Sequence, residues 1–325
     1  MKVHILDDWF DTLRTLPSFS LLDSHDVTVW TDHQPDPETL AERVADADVL
    51  VLFRERTAIG PALLDRLPNL RLISQRGVYP HVDVPACTAN GVVFCSNTKK
   101  DAPSRAAAEL TFALLLASAR QIPQQMASLK AGNWQIGVGQ TVGGRRLGLY
   151  GYGGIAGQVA HYAKAFGMDV VWWGSDEGRA RATANGETVA ASREEFFAQS
   201  DFVSLHVRLV PATRGIITAD DLMAMKPSAT FINTSRAGLV APGALEAALA
   251  AGRPGRLALD VFDKEPLINP NDPIASHPNV IGTPHIGFVT EDELDLQFAE
   301  IYAQINAFAD GAPVNVINPD AIGAR

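Results

Sequence analysis

The stretch Leu147-Gly-Leu-Tyr-Gly151-Tyr-Gly153-Gly154-Ile155-Ala156-Gly157-Gln-Val-Ala160 decides how this chain is read, because an apolar run, a glycine-rich turn and an amphipathic run follow one another without a break. Gly151 permits a tight turn, Gly153 lets a ligand approach bare backbone, and small Ala156 lets a helix pack closely on the strand before it. The first N–H groups of that helix, at Gly154 and Ile155, have no partner inside it and favour a phosphate. This is the arrangement of a dinucleotide site. A string of this spacing arises by chance in about a third of chains with this glycine content, so its setting decides: strand before, helix after, and a second strand about twenty residues on.

That second strand, 170–173, departs from the usual pattern. An acidic residue normally ends it and holds the ribose hydroxyls. Here Gly174 stands at that place, followed by Ser175-Asp176-Glu-Gly-Arg179-Ala-Arg181. Asp176 can reach the ribose, which favours NAD. Ser175 with Arg179 or Arg181 can hold a 2′-phosphate, which favours NADP. A solvated helix start is the plain alternative for each residue taken singly.

Outward from this motif the chain alternates. Residues 3–6, 27–30, 49–53, 70–74 and 92–95 read as strands, with helices at 37–47 and 61–67 between them. From 147 a second series begins, with strands at 170–173, 202–205, 230–233, 257–261 and 280–282. Val-, Ile- and Leu-rich strands separated by helical segments imply right-handed crossovers and parallel sheets covered on both faces. Between the two series, 106–120 reads as an Ala- and Leu-rich helix, apolar all round and therefore expected to be buried between domains or subunits. A single helical stretch at 291–308 and a short tail are too little for a domain, so they are expected to pack on the first unit. The expected fold is α/β, with two doubly wound parallel-sheet, Rossmann-like domains separated by a cleft. The first unit would span 1–101 plus 291–325, and the unit that carries the glycine motif, a nucleotide domain, would be inserted at 102–290.

Composition agrees with two cores and narrows the function. A single hydrophobic core rarely grows past about 250–300 residues, and the chain has 325. It carries 27 Lys and Arg against 37 Asp and Glu, a net charge of −10 that repels phosphate backbones and anionic membranes. Neither nucleic acid nor membrane is an expected partner. Residues 1–10 show no basic start followed by a long apolar run, and the most apolar helical stretch, 110–119, is about half a bilayer span. Cys87 and Cys95 sit among apolar neighbours at no metal-ligand spacing, which points to buried thiols, a reducing cytoplasm and no metal site.

Three later strands run into polar residues: Asn233-Thr234-Ser235-Arg236-Ala237, Asp260-Val-Phe-Asp-Lys-Glu265-Pro, and Thr283-Pro-His285-Ile-Gly287. Ligands of open parallel sheets bind outside the carboxyl ends of the strands. There Arg236 can grip a carboxylate bidentately, His285 can exchange a proton with a hydroxyl, and Glu265 can orient the imidazole and stabilise its charged form. His206 also ends a strand, in Leu-His206-Val207-Arg208, but its apolar neighbours equally suit a packed, hydrogen-bonded histidine.

These four motifs, in this order and across essentially the whole chain, resemble the D-isomer-specific 2-hydroxyacid dehydrogenase family, which includes phosphoglycerate, glycerate and D-lactate dehydrogenases. The resemblance implies an NAD- or NADP-dependent oxidoreductase that moves a hydride between nicotinamide and C2 of a short D-2-hydroxy or 2-oxo acid such as phosphoglycerate, hydroxypyruvate or glyoxylate. It implies that Arg236 binds the substrate carboxylate, His285 is the acid/base, Glu265 pairs with it, and Asp260 contacts the nicotinamide end. It also implies that the first unit is a flavodoxin-like substrate domain. Gly151, Gly153, Gly154, Ile155, Gly174, Ser175, Asp176, Val207, Thr234, Ser235, Asp260 and Gly287 would line the cofactor, and a homodimer would form through the nucleotide domain. The chain departs from the family pattern at Gly174, at Ala156 and Ala237 in place of glycines, and in the substrate loop Ser74-Gln-Arg76-Gly77-Val-Tyr79. In that loop Gly77 would offer backbone N–H groups to the substrate, and Arg76, with Arg54, Lys99, Lys100 and Arg105, could add positive charge on the rim for an anionic or phosphorylated substrate; a solvated surface is the plain alternative for most of them. A dinucleotide-sensing, corepressor-like protein with little turnover is the alternative on the same fold; the joint presence of Arg236, Glu265 and His285 argues against it. Formate oxidation on the related fold is disfavoured by Glu265.

Overall fold

A computed structural model of the chain describes residues 1–98 and 105–323. The junction expected at 101/102, and Lys99 and Lys100 with it, lies outside the described residues. The chain divides into two compact units, Met1–Ala102 with Thr290–Arg325, and Pro103–Val289.

In the first unit, β1 (Lys2–Ile5), β2 (Asp26–Val29), β3 (Val49–Val51), β4 (Leu72–Arg76) and β5 (Val93–Asn97) form a sheet in the order β2-β1-β3-β4-β5. Every neighbouring pair is parallel. The helices α1 (Pro37–Arg43), α2 (Pro61–Leu64) and α3 (Val84–Ala89) begin where the sequence supplies starts. Asp36 accepts the Thr39 N–H at 2.8 Å and Asp83 accepts the Ala86 N–H at 2.9 Å, each followed shortly by a proline suited to the first turn. Strand β3 is buried at every position, which is why it reads as an unbroken apolar run.

The second unit is built from α4 (Arg105–Arg120), α5 (Ile122–Lys130), β6 (Arg146–Tyr150), α6 (Gly154–Ala165), β7 (Asp169–Trp173), α7 (Asp176–Ala184), α8 (Arg193–Gln199), β8 (Phe202–Leu205), α9 (Ala219–Ala224), β9 (Thr230–Asn233), α10 (Ala244–Ala251), β10 (Arg256–Leu259) and β11 (Val280–Gly282). Its six strands are parallel and ordered β11-β10-β9-β8-β6-β7. The order reverses between β6 and β8, and such a switch point opens a crevice for a ligand. Helix α4 packs one face within its own unit: buried Ala108, Phe112, Leu115 and Ala119 share one core with Leu147, Val159 and Ile232, and the Ser118 and Thr230 hydroxyls are 3.0 Å apart.

Finally, α11 (Glu291–Ala309) belongs to the first unit. The Ser74 hydroxyl donates to the Ile301 carbonyl at 3.0 Å, Gln304 donates to Ser74 and to the Gln75 carbonyl, and Phe298 packs on Phe53 with ring centroids 5.0 Å apart. Cys87 and Cys95 are buried free thiols whose pKa burial pushes up to about 12. Among the described residues no helix is long and apolar enough to cross a membrane, and no cluster of three or more His, Cys, Asp or Glu could hold a metal.

Candidate active site

The turn between β6 and α6 is made of backbone. Gly151 has φ +109°, and a Cβ added there would lie 2.5 Å from the His206 carbonyl oxygen and 2.7 Å from Val207 Cγ1, so only glycine fits. These neighbours follow β8, which places the turn at the switch point. At Gly153 an added Cβ would meet nothing within 4 Å, and the residue is exposed. No side chain caps α6, so the N–H groups of Gly154 and Ile155 open on this bare ledge, while Ala156 is fully buried beneath it. An anionic pyrophosphate fits this ledge, with uncapped donors and the positive end of a helix dipole facing it.

At the end of β7, Gly174 has φ +151°, and an added Cβ would lie 3.4 Å from the Gly151 nitrogen. The Ser175 hydroxyl oxygen caps α7 by accepting the Gly178 N–H at 3.2 Å. Asp176 pairs with Arg179, whose guanidinium stacks 4.3 Å from the Trp173 ring and donates to the Gly174 carbonyl at 2.7 Å. Trp173 and its hold on Arg179 escaped the sequence reading; the adjacency of Trp173 to Gly174 was the available signal.

The loops after β9, β10 and β11 carry the side-chain chemistry. Asn233 braces the first by accepting the Ser235 N–H and donating to the Arg236 carbonyl, both at 3.0 Å. Ser235 donates to the Leu205 carbonyl, and the Thr234 hydroxyl lies 2.7 Å from that of Thr111. The Arg236 guanidinium donates to the Ser235 carbonyl at 2.8 Å and stands near enough to Glu265 to help hold its carboxyl in the charged form.

Glu265 is fixed at both oxygens. One accepts the Phe262 N–H at 2.9 Å and the other accepts Nδ1–H of His285 at 2.6 Å. Burial pushes the Glu265 carboxyl up, but the His285 bond and charge, the Phe262 N–H and Arg236 together outweigh it and leave it below the usual range. With Nδ1 on Glu265, Nε2 is the His285 nitrogen left for a substrate. His285 itself has a left-handed backbone, φ +54°, which a non-glycine residue keeps only when its surroundings impose it.

Asp260 imposes it. Its fully buried carboxylate accepts from the Thr283 hydroxyl at 2.6 Å, the Ile286 N–H at 2.8 Å and the Gly287 N–H at 2.9 Å. Burial nevertheless raises its pKa. Asp260 and Gly287 thus tie down the turn that carries His285. His206 is half-buried and bonded within the protein. Its Nε2 lies 3.0 Å from the Ser204 hydroxyl, and burial lowers its pKa to about 4, so it stays neutral.

In the first unit, the polar groups of Arg76 and Gly77 have partners within the unit. The Arg76 guanidinium is ion-paired with Glu300 at 2.6 Å, where Asn97 also donates at 3.0 Å. The Gly77 N–H donates to the Asn97 carbonyl at 2.9 Å because the β4–β5 ladder runs one residue further. Neither the Arg76 charge nor the Gly77 N–H is presented outward.

Comparison with known proteins agrees with this geometry. The family model described as D-isomer specific 2-hydroxyacid dehydrogenase, NAD binding domain, matches residues 112–287. A glyoxylate reductase of Aeropyrum pernix is 35% identical over 315 residues, covering 93% of this chain and 92% of that protein. A D-3-phosphoglycerate dehydrogenase of Methanocaldococcus jannaschii is 38% identical over 286 residues; the match covers 86% of this chain but 53% of that protein, so the chain spans about half its length. A solved structure of a phosphoglycerate oxidoreductase from Vibrio cholerae superposes with a TM-score of 0.91 at 43% identity, covering 96% of this chain and all of the other.

Proposed function

Since this chain belongs to the D-isomer-specific 2-hydroxyacid dehydrogenase family and is an NAD(P)-dependent oxidoreductase of that class, we propose that it reduces short 2-oxo acids such as glyoxylate or hydroxypyruvate, reversibly, with His285 as acid/base. The unit Pro103–Val289 is then the nucleotide domain and the other unit the substrate domain. The observation that carries the reading is the His285–Glu265 pair, 2.6 Å apart, beside Arg236. Arg236 holds the substrate carboxylate through its planar fork of donors. His285, protonated and stabilised by the Glu265 charge, delivers the Nε2 proton to the oxygen on C2; in the oxidative direction neutral Nε2 removes it. When bound, the nicotinamide dinucleotide supplies or accepts the hydride at C2. Gly151, Gly153, Gly154 and Ile155 cradle its pyrophosphate, and Val207, Thr234 and Ser235 border the same sheet edge. The substrate is a small anion, bound against a net charge of −10 by a local cation.

The test follows absorbance at 340 nm as NADH or NADPH is mixed with glyoxylate, hydroxypyruvate and other 2-oxo acids. Consumption dependent on the 2-oxo acid is expected, and binding of dinucleotide without turnover of any of them overturns the reading.

A homodimer belongs to the same proposal. Ile122, Met126 and Leu129 lie on one face of α5 at helical spacing and are exposed, and the Ser128 hydroxyl, donating to the Trp134 carbonyl at 3.1 Å, holds exposed Trp134 alongside. A continuous apolar face of this kind suits burial against a second copy. Sedimentation should give a dimer that Leu129→Glu dissociates; a monomeric parent protein contradicts this. The two buried thiols suit a reducing compartment, the cytoplasm.

A further inference from the structure

At the end of β7 the backbone disfavours the carboxylate that would otherwise grip the ribose. Gly174 adopts φ +151°, a conformation that L side chains rarely take, while an added Cβ would lie in ordinary contact, 3.4 Å from the Gly151 nitrogen. An Asp or Glu there would strain the backbone. The nearest acid, Asp176, has its carboxylate on Arg179, and its side chain is 95% exposed.

The cation beside the same glycine is held in place. Arg179 is fixed by the Trp173 ring at 4.3 Å, by the Gly174 carbonyl at 2.7 Å and by Asp176, and its side chain is 30% exposed. A second guanidinium, that of Arg181, donates to the Tyr152 carbonyl at 3.2 Å, within the glycine turn itself, and lies 3.9 Å from exposed Glu177. Between them, Ser175 uses its oxygen to cap α7, which leaves its O–H as a donor.

We propose that Arg179, with Arg181 and Ser175, receives the 2′-phosphate of NADP(H), and that this chain prefers NADP(H) to NAD(H). The proposal rests on the reading of the Gly151–Ala156 turn as the dinucleotide site. Asp176 acts as a stand-in anion. An exposed carboxylate on an arginine contributes little, whereas a phosphate brings nearly two charges and three acceptor oxygens to a fork already in position. Asp176 then swings into solvent, where Glu177 already lies.

Equilibrium titration of tryptophan fluorescence with NADPH and with NADH tests this without turnover, and competition by 2′,5′-ADP against 5′-AMP isolates the extra phosphate. NADPH is expected to bind about tenfold or more tightly than NADH, and 2′,5′-ADP to compete better than AMP by a similar factor. Arg179→Gln should lower the NADPH-to-NADH affinity ratio about tenfold, and Asp176→Asn should raise it. A parent protein that binds NADH as tightly as NADPH, or an Arg179→Gln ratio unchanged from the parent, overturns the proposal and leaves the dinucleotide site intact. Failure to bind either dinucleotide overturns both.

Discussion

Two regions of the second unit work by opposite means. The turn after β6 is bare backbone: Gly151, whose N–H is donated to the Trp173 carbonyl, contributes the absence of a side chain, and Gly153 and Gly154 add N–H groups to that absence. The turn after β11 is side-chain chemistry held by side-chain bonds, with Asp260 fixing the loop, Glu265 fixing the ring and His285 facing outward. In the first region a substitution acts by adding atoms. In the second it acts by removing a charge or a proton.

The largest test of that contrast is His285→Ala. It should lower kcat by about 10² or more, in the range of positioned acid/base catalysis, with dinucleotide affinity in a fluorescence titration unchanged. A variant with near-normal kcat breaks the assignment. Next is Gly151→Ala, which should cost about 2–3 kcal/mol of stability in a denaturant titration, because the new Cβ meets the His206 carbonyl at 2.5 Å and needs φ +109°.

Glu265→Gln should lower kcat about tenfold and shift its pH profile. The Glu265 carboxyl is held below its usual range, so it stays ionised through neutral pH and loses its charge only when pH falls below the ordinary carboxylate range. Glutamine carries no charge at any pH, so the fall in rate that protonation of Glu265 causes on the acid side of the profile should disappear. A profile that does not move separates the pair from the chemistry. The smallest effect is Gly153→Ala. Its Cβ meets nothing in the protein, so the melting temperature should hold while dinucleotide affinity falls severalfold. Equal losses of stability in Gly151→Ala and Gly153→Ala would erase the distinction between a packed glycine and an open one.

What was legible in the sequence follows the same division. Among the described residues the strands lie at apolar runs, most plainly where, as in β3 and β8, every position is buried and no polar face interrupts the run. The short helix α3 escaped notice, since six residues of mixed burial give no periodic signal. Arg236, Glu265 and His285 could be picked out because each stands in the loop that leaves the carboxyl end of a strand. The partners that set their roles could not. Arg76 meets Glu300 across 224 positions of sequence, and nothing local distinguishes a paired arginine from an exposed one. The three donors around Asp260 lie 23 to 27 residues further along, beyond any local pattern.

The seating of α11 has a consequence for how the chain is made. The sheet of the first unit begins at Lys2, yet it leans on residues beyond Thr290: Ser74 and Gln75 on Ile301 and Gln304, the Phe94 N–H on the Asn318 side chain at 2.7 Å, and Cys95 against Val316. During synthesis at about 5–20 residues per second, strands β1 to β5 emerge roughly 10–40 s before α11 exists to cover them. The nucleotide-side unit, contiguous in sequence, has all its strands in hand by then. The order of completion on the ribosome is therefore inside-out, with the inserted unit finished first and the first-born strands left as a waiting template.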